Sequence, residues 1–398
     1  MTFIFYILAA LLVFFSYRSL RGGIAYFKFF KSELLKPQPN FTPFASVIVP
    51  CRGLDSDLEI NLSMLFRQDY PNYEVIFVVD DADDPSLKVI AEVSRKAAKD
   101  AKIVIAGKAA KSSQKVENLR EAIMHVSGES KVFVFMDTDA RPNENWLRSL
   151  VAPLENKNIG ASTGYRWFIS EQPSFSSELL SAWNASIASA LGPNTKSNFC
   201  WGGSMAIRRD VFERLNIGER WNGILSDDFT VTKAMNEANL PIHFVPQALT
   251  ASFENCSFRK LLKFTTRQMK ITRVYAPKLW IKSFIGSGLF NTVMLWAFFI
   301  AVFSPANTIF FWTSIATIML VSFFSIGKSW LRLTAVRLAL REHEKLLKGQ
   351  FWTQNTLWIL APALFLFNSI AVLISRRIVW RGTGYEMISS NETRIIED

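Results

Sequence analysis

The stretch Lys131–Ala140, KVFVFMDTDA, runs from a short apolar segment directly into two carboxylates, Asp137 and Asp139. Short runs rich in Val and Phe are buried strands, so Lys131–Asp137 is expected to be one. In extended backbone, residues two apart project to one side. Asp137 and Asp139 can then share a hard cation, Mg²⁺ or Mn²⁺, that also ligates a diphosphate. Solvated turns use Asp-x-Asp as well; it is the position after a buried strand that favours the metal reading.

Working outward, Ser46–Pro50 (SVIVP), Glu74–Asp80 (EVIFVVD) and Lys102–Ala106 (KIVIA) have the same strand character. Helical segments separate them: Asp57–Arg67, Pro85–Lys99 and Gln114–Val126. Strands alternating with helices imply an α/β domain whose mostly parallel sheet is covered on both faces. Ligands of such sheets bind beyond the carboxyl ends of the strands.

Two more acidic clusters lie at such ends. Asp80-Asp81-Ala82-Asp83-Asp84-Pro85 follows a strand, and four carboxylates within five residues repel unless a cation or hydrogen-bond donor meets them. Asp83 and Asp84 read as a solvated turn and helix cap before Pro85. Asp81, with Asp80, is assigned to the base or ribose of a nucleotide. Ser226-Asp227-Asp228-Phe229-Thr230 opens an apparent helix to about Asn239, where such residues also serve simply as caps. Three acidic sites in one domain suit a metal-dependent sugar transfer, with one of them acting as general base for an acceptor hydroxyl.

The ordered set SVIVPCRG, VVDDADDP, MDTDA, Gly202-Gly203-Ser204-Met205-Ala206-Ile207-Arg208-Arg209 and SDDFT resembles the inverting family-two glycosyltransferases of GT-A fold. The DDP turn, Lys115-Val116-Glu117-Asn118-Leu119, the helix bearing Arg267, and the tail Ile378–Tyr385 (IVWRGTGY) are most similar to the ceramide glucosyltransferases. Together these motifs span about Phe44–Tyr385. The resemblance implies Pro50, Arg52, Asp81, Lys115 and Asp137 for the nucleotide, Asp137 and Asp139 for the metal and diphosphate, and Asp228 as catalytic base. Trp201, Gly202, Arg267 and Lys270 fall on the diphosphate or acceptor side. One departure stands out: the family's (Gln/Arg)-x-x-Arg-Trp motif is here Arg267-Gln268-Met269-Lys270-Ile271. Lys270 supplies charge without the bidentate fork of arginine, and Ile271 replaces the Trp that lines the acceptor end.

The rest of the chain is expected to be membrane. Of 398 residues, 49% are apolar, and the 34 Phe and 12 Trp concentrate toward the two ends. Residues 1–20 read as an N-terminal anchor, since basic residues follow the apolar run, no positive segment precedes it and no cleavage site follows. Lys36-Pro37-Gln38-Pro39 ends that segment, and residues 40–255 form the catalytic domain, placed in the cytoplasm by the basic flank. Residues 256–277 carry Arg259, Lys260, Lys263, Arg267, Lys270 and Arg273 among apolar positions, the composition of an amphipathic helix lying on a membrane. It would bring the active site to headgroup level, within reach of a lipid hydroxyl. Residues 284–327 read as a transmembrane hairpin, 328–350 as a charged interfacial helix, 355–375 as a transmembrane or re-entrant segment around Pro362, and 376–398 as a tail. A full span at 355–375 would strand Arg376, Arg377 and Arg381 outside, against the positive-inside rule.

A net charge of +11 is explained by these loops and by anionic lipid rather than nucleic acid, because the cations cluster beside apolar spans. Three scattered cysteines, Cys51, Cys200 and Cys256, make neither a disulfide framework nor a zinc site. The activity the resemblance implies is inverting transfer of one sugar, from UDP-glucose or a related UDP-hexose, to a lipid such as ceramide. A processive polysaccharide synthase shares the acidic sites but needs more spans around its polymer. A catalytically silent membrane scaffold would have no use for three intact acidic sites.

Overall fold

The computed structural model describes residues 2–37, 39–98 and 101–396. Gln38 of the expected linker, Lys99 at the end of one expected helix, Met1 of the anchor, and residues 397–398 of the tail lie outside them. The chain forms two compact units, one of Ser32–Glu171, Ala190–Glu254 and Arg376–Asp398, the other of Met1–Lys31, Gln172–Ser189 and Asn255–Ser375.

In the first unit the strands are β1 (Ala45–Pro50), β2 (Tyr73–Val79), β3 (Lys102–Ile105), β4 (Val132–Met136), β5 (Ala161–Thr163), β6 (Arg166–Ile169), β7 (Ser204–Arg208), β8 (Ile242–Phe244), β9 (Thr250–Phe253), β10 (Arg377–Trp380), β11 (Thr383–Ser389) and β12 (Glu392–Ile396). Seven make one sheet in the order β3-β2-β1-β4-β7-β5-β8. All its pairings are parallel except those of β7, which runs against both β4 and β5. The expected strands are thus present to within a residue or so. In β1, β2 and β4 both faces are buried, Ile48, Ile76, Val78, Phe133 and Phe135 on one side and Val47, Val49, Phe77, Val79, Val132 and Val134 on the other, which explains their lack of alternation, whereas the edge strand β3 buries only Val104. The helices Leu58–Leu65, Ser86–Ala97 and Gln114–Met124 connect β1 through β4.

Chain direction across the sheet decides where a ligand goes. After β1 the chain steps to β2 and β3 on one side, then returns to place β4 on the other side of β1. The crevice beyond the carboxyl ends of β1 and β4 is the topological switch point. Pro50 is the last residue of β1, Arg52 follows it, Asp137 follows β4, and Asp80 follows β2.

Residues 376–396 of the tail are not a loose extension. β10, β11 and β12 form an antiparallel sheet, with Trp380 paired to Thr383 across the two-residue turn Arg381-Gly382. Both turn residues have positive φ, 48° and 79°, the type I′ conformation that matches strand twist and that glycine adopts without strain.

In the second unit three helices are long and apolar enough to cross a membrane: Phe3–Leu34, Pro277–Phe303 and Ile309–Ala339. Phe5, Ala9 and Leu12 pack with Val293, Met294, Ala297, Ile300 and Val321. The Phe5 ring lies 5.4 Å from Phe310, Tyr17 lies 5.8 Å from Phe324, and Gly23 abuts Lys328. The first and third of these helices therefore run in the same direction.

One expectation changes here. Residues 328–350 are not a separate interfacial helix, because Ile309–Ala339 continues unbroken past Gly327, which packs against Leu20 instead of ending the helix. Within the segment 355–375, expected to be transmembrane or re-entrant, the end of the helix Phe351–Thr356, a 3-10 turn at Leu357–Ile359, and the helix Ala361–Ala371 follow one another. Pro362 sits in the first turn of the last piece, which favours starting a helix there. Its 11 residues rise about 16 Å, roughly half a hydrocarbon core. Asn368 is buried and accepts hydrogen bonds from Thr265 (3.3 Å) and Thr266 (2.8 Å) of the amphipathic helix Phe258–Tyr275.

Candidate active site

At the end of β2, Asp80 is almost fully buried and paired with Lys108 (3.0 Å) and, more loosely, Arg52 (3.7 Å). Asp81 turns outward and meets Lys108 at 3.2 Å. A hydrogen bond from the Asp83 N–H, then Lys108, holds its carboxyl below the usual range. Asp84 is structural, as expected of a turn and cap residue. It accepts from the Gly53 N–H at 3.0 Å and from the Ser86 N–H and hydroxyl at 2.8 and 2.6 Å, stitching the β1 and β2 loops together. Burial opposes its ionisation, but these bonds prevail and lower its pKa.

Asp137 and Asp139 are held by different cations. Lys115, at the start of the helix Gln114–Met124, reaches Asp137 at 2.7 Å and Asp227 at 3.3 Å. Arg166, from β6, reaches Asp139 at 3.0 Å and stacks its guanidinium 5.2 Å over Trp201. Burial works against ionising Asp137, yet Lys115 keeps it below the usual carboxylate range. For Asp139, burial outweighs Arg166 and, with repulsion from Asp137, raises the pKa. Asp227 is pushed up to about 6, by burial first, against the pull of Lys115. Lys115 is itself buried, but Asp137, Asp227 and Asp228 secure its charge.

Gly202 sits where this cluster is tightest. A Cβ there would lie 2.2 Å from Asp227 Oδ2 and 2.9 Å from Lys115 Nζ, so only glycine fits. Its N–H points to Asp228 Oδ2 at 3.4 Å. Asp228 is otherwise oriented by the Ser226 hydroxyl (2.6 Å) and its neighbour's N–H at Phe229 (2.7 Å), at the first turn of the helix Asp227–Glu237. Trp201 is anchored through its N–H to the Thr163 hydroxyl at 3.1 Å, with its ring 5.4 Å from Tyr165.

Among the expected residues, Asp137, Asp227–Asp228, Lys115 and Gly202 come together in one cluster, joined by Arg166 to Asp139 and Trp201. Arg52, Asp80 and Asp81 form a second group around Lys108. Arg267 and Lys270 belong to the other compact unit, where Arg267 lies 5.4 Å from the Phe264 ring and partial burial lowers the Lys270 pKa. Sequence reasoning missed Lys108, Arg166, Asp55 and Arg381. None sits in an acidic motif, and their partners lie 27 to 326 residues away.

The site also suits a divalent cation. Asp139 Oδ1 is buried without a hydrogen-bond partner among the described residues, an unsatisfied oxygen beside the Asp137 carboxylate. No group of three or more His, Cys, Asp or Glu side chains is placed to hold a metal among the described residues. Asp137 and Asp139 would thus hold a hard cation only together with oxygens from elsewhere, such as a diphosphate.

A seven-stranded sheet with one reversed strand, bearing carboxylates at its switch point, is the GT-A glycosyltransferase arrangement. The chain belongs to glycosyl transferase family 21, whose sequence model matches residues 5–393. The likeness to ceramide glucosyltransferases read from the motifs stands with it. A 69-residue segment is 35% identical to the ceramide glucosyltransferase of Komagataella phaffii, covering 17% of this chain and 13% of that relative. Among solved structures, a mannosyltransferase from Pyrobaculum calidifontis, in complex with GDP-Man and Mn²⁺, is 18% identical, with 90% of this chain and 99% of that one covered and a TM-score of 0.45. Glucosyl-3-phosphoglycerate synthase from Mycobacterium tuberculosis is 16% identical, with coverage of 59% and 84% and a TM-score of 0.37. At these TM-scores the sheet order itself carries the fold assignment.

Proposed function

We propose that this glycosyltransferase moves one hexose from a uridine diphosphate sugar to the hydroxyl of a lipid such as ceramide, with inversion. The observation that supports it most is the Lys115 bridge, which gathers Asp137 and Asp227 beside Asp228 at the switch point. Asp81, Arg52 and Pro50 would face the nucleotide. Asp137 and Asp139 would hold Mg²⁺ or Mn²⁺, which supplies positive charge for the departing diphosphate. Lys115 is already placed to attract the same phosphates. Asp228, oriented by Ser226 and lacking an ion-pair partner among the described residues, would take the acceptor proton as the hydroxyl attacks the anomeric carbon.

The acceptor assignment draws on the three long apolar helices. We place the N-terminus outside and the catalytic unit in the cytoplasm. With three crossings and a short Ala361–Ala371 piece that does not span, Arg376, Arg377 and Arg381 then fall inside, in accord with the positive-inside rule. The test is incubation of purified protein with nucleotide sugars and Mg²⁺ or Mn²⁺, with and without ceramide, diacylglycerol or polyprenyl phosphate. A single hexose on lipid and loss of turnover in excess chelator are expected. A ladder of longer products would instead indicate a processive synthase, and full activity in chelator would remove the metal role of Asp137 and Asp139.

A further inference from the structure

The C-terminal sheet touches three of the loops that carry site residues. Arg381, at the tip of the β10–β11 turn, donates to both oxygens of Asp55 at 2.7 Å and to the Arg52 carbonyl at 2.7 Å. Arg52 in turn donates to the Thr383 hydroxyl at 3.0 Å. The Tyr385 hydroxyl accepts from the Gln114 N–H at 3.1 Å, next to Lys115, and the Thr393 N–H donates to the Gly223 carbonyl at 2.8 Å, just ahead of Ser226-Asp227-Asp228. Asp55 also accepts a hydrogen bond from the hydroxyl of Thr138, the residue between Asp137 and Asp139. A continuous path therefore runs from Arg381 through Asp55 to the middle of the Asp-x-Asp turn.

We propose that Arg381 is a positioning residue of the donor site, holding the Asp137-Thr138-Asp139 turn through Asp55, so that the C-terminal hairpin is a working part of that site. One guanidinium nitrogen, Nη2, holds both Asp55 oxygens while the other, Nη1, holds the Arg52 carbonyl, two anchor points that a single ammonium would not reproduce together. Thr138 is buried, so its hydroxyl needs this partner, and losing it frees the backbone that aims both aspartates.

The inference rests on the donor reading above, and calorimetric titration of UDP into the full-length protein in detergent with fixed Mn²⁺ tests both. Arg381→Gln and Thr138→Val should each weaken UDP binding about tenfold to a hundredfold, as losses of outer-shell support do. Thr138→Ser, which keeps the hydroxyl, should stay within about twofold of the parent, and the double variant Arg381→Gln/Thr138→Val should be no weaker than the worse single one. Arg381→Lys should recover only part of the loss. UDP affinity within about twofold of the parent in Arg381→Gln and Thr138→Val, or losses that add in the double variant, would overturn the proposal alone. If Arg381→Gln does not fold, Thr138→Val, which leaves the hairpin intact, decides by the same criterion. A parent protein that binds no nucleoside diphosphate would overturn the donor reading and this inference together.

Discussion

Gly202 is the position where one added methyl group would be felt most. Gly202→Ala drives a Cβ into Asp227 and Lys115, and overpacking of this kind costs on the order of 1–3 kcal/mol. A lower thermal midpoint with lost donor binding is expected; an unchanged midpoint and affinity would mean that the cradle is looser than its distances. Asp228→Asn should slow transfer by on the order of a hundredfold to ten-thousandfold while nucleotide-sugar binding persists, with Asp227→Asn milder. The reverse order, measured as kcat, would move the base by one residue. Asp227 has its own signature. The folded chain keeps its proton to about pH 6, whereas an exposed aspartate releases it near pH ~4. Between those values the folded state binds more protons than the unfolded one, so this group's contribution to stability falls as pH rises. The parent's thermal midpoint should therefore drop relative to that of Asp227→Asn as pH rises from about 4 to 6. A constant difference across that window would contradict it.

The helix Phe258–Tyr275 shows how an element's pattern sets its place. Ser257 caps it, and Leu261, Thr265, Met269 and Ile271 are buried, while six cations lie among them in sequence. Such charge is prohibitive at mid-bilayer, whereas each cation at an anionic surface contributes about 1 kcal/mol. Cysteines placed at Ser257 and Ala276 should both react with an impermeant thiol reagent from the cytoplasmic side; reaction from opposite sides would make the helix a span. The charged stretch after Gly327 was readable as polar but not as a continuation of the preceding helix. Helix breaks depend on what a glycine packs against, here Leu20, more than 300 residues earlier in the chain.

At the scale of the whole molecule, the proposed three-span arrangement would place Asn307, in the turn between the second and third long helices, opposite Ser257 and Ser390. Thiol accessibility at these three positions should divide in that way; Ser390 labelling together with Asn307 would require a fourth crossing. The sheet, its strand ends and the acidic motifs were legible because buried strands and carboxylates after them are local patterns, set by side-chain period and chain direction. The GT-A class and the ceramide glucosyltransferase likeness followed from the order of those motifs. What tertiary structure alone decided were the pairings: Lys115 between Asp137 and Asp227, Arg166 on Asp139, and Arg381 on Asp55. A charge chooses its partner by distance in three dimensions, and segments 22 to 326 residues apart leave no periodic trace of meeting. The same holds for the C-terminal strands, whose residues became part of the site only when the folded sheet gave them a surface to pair against.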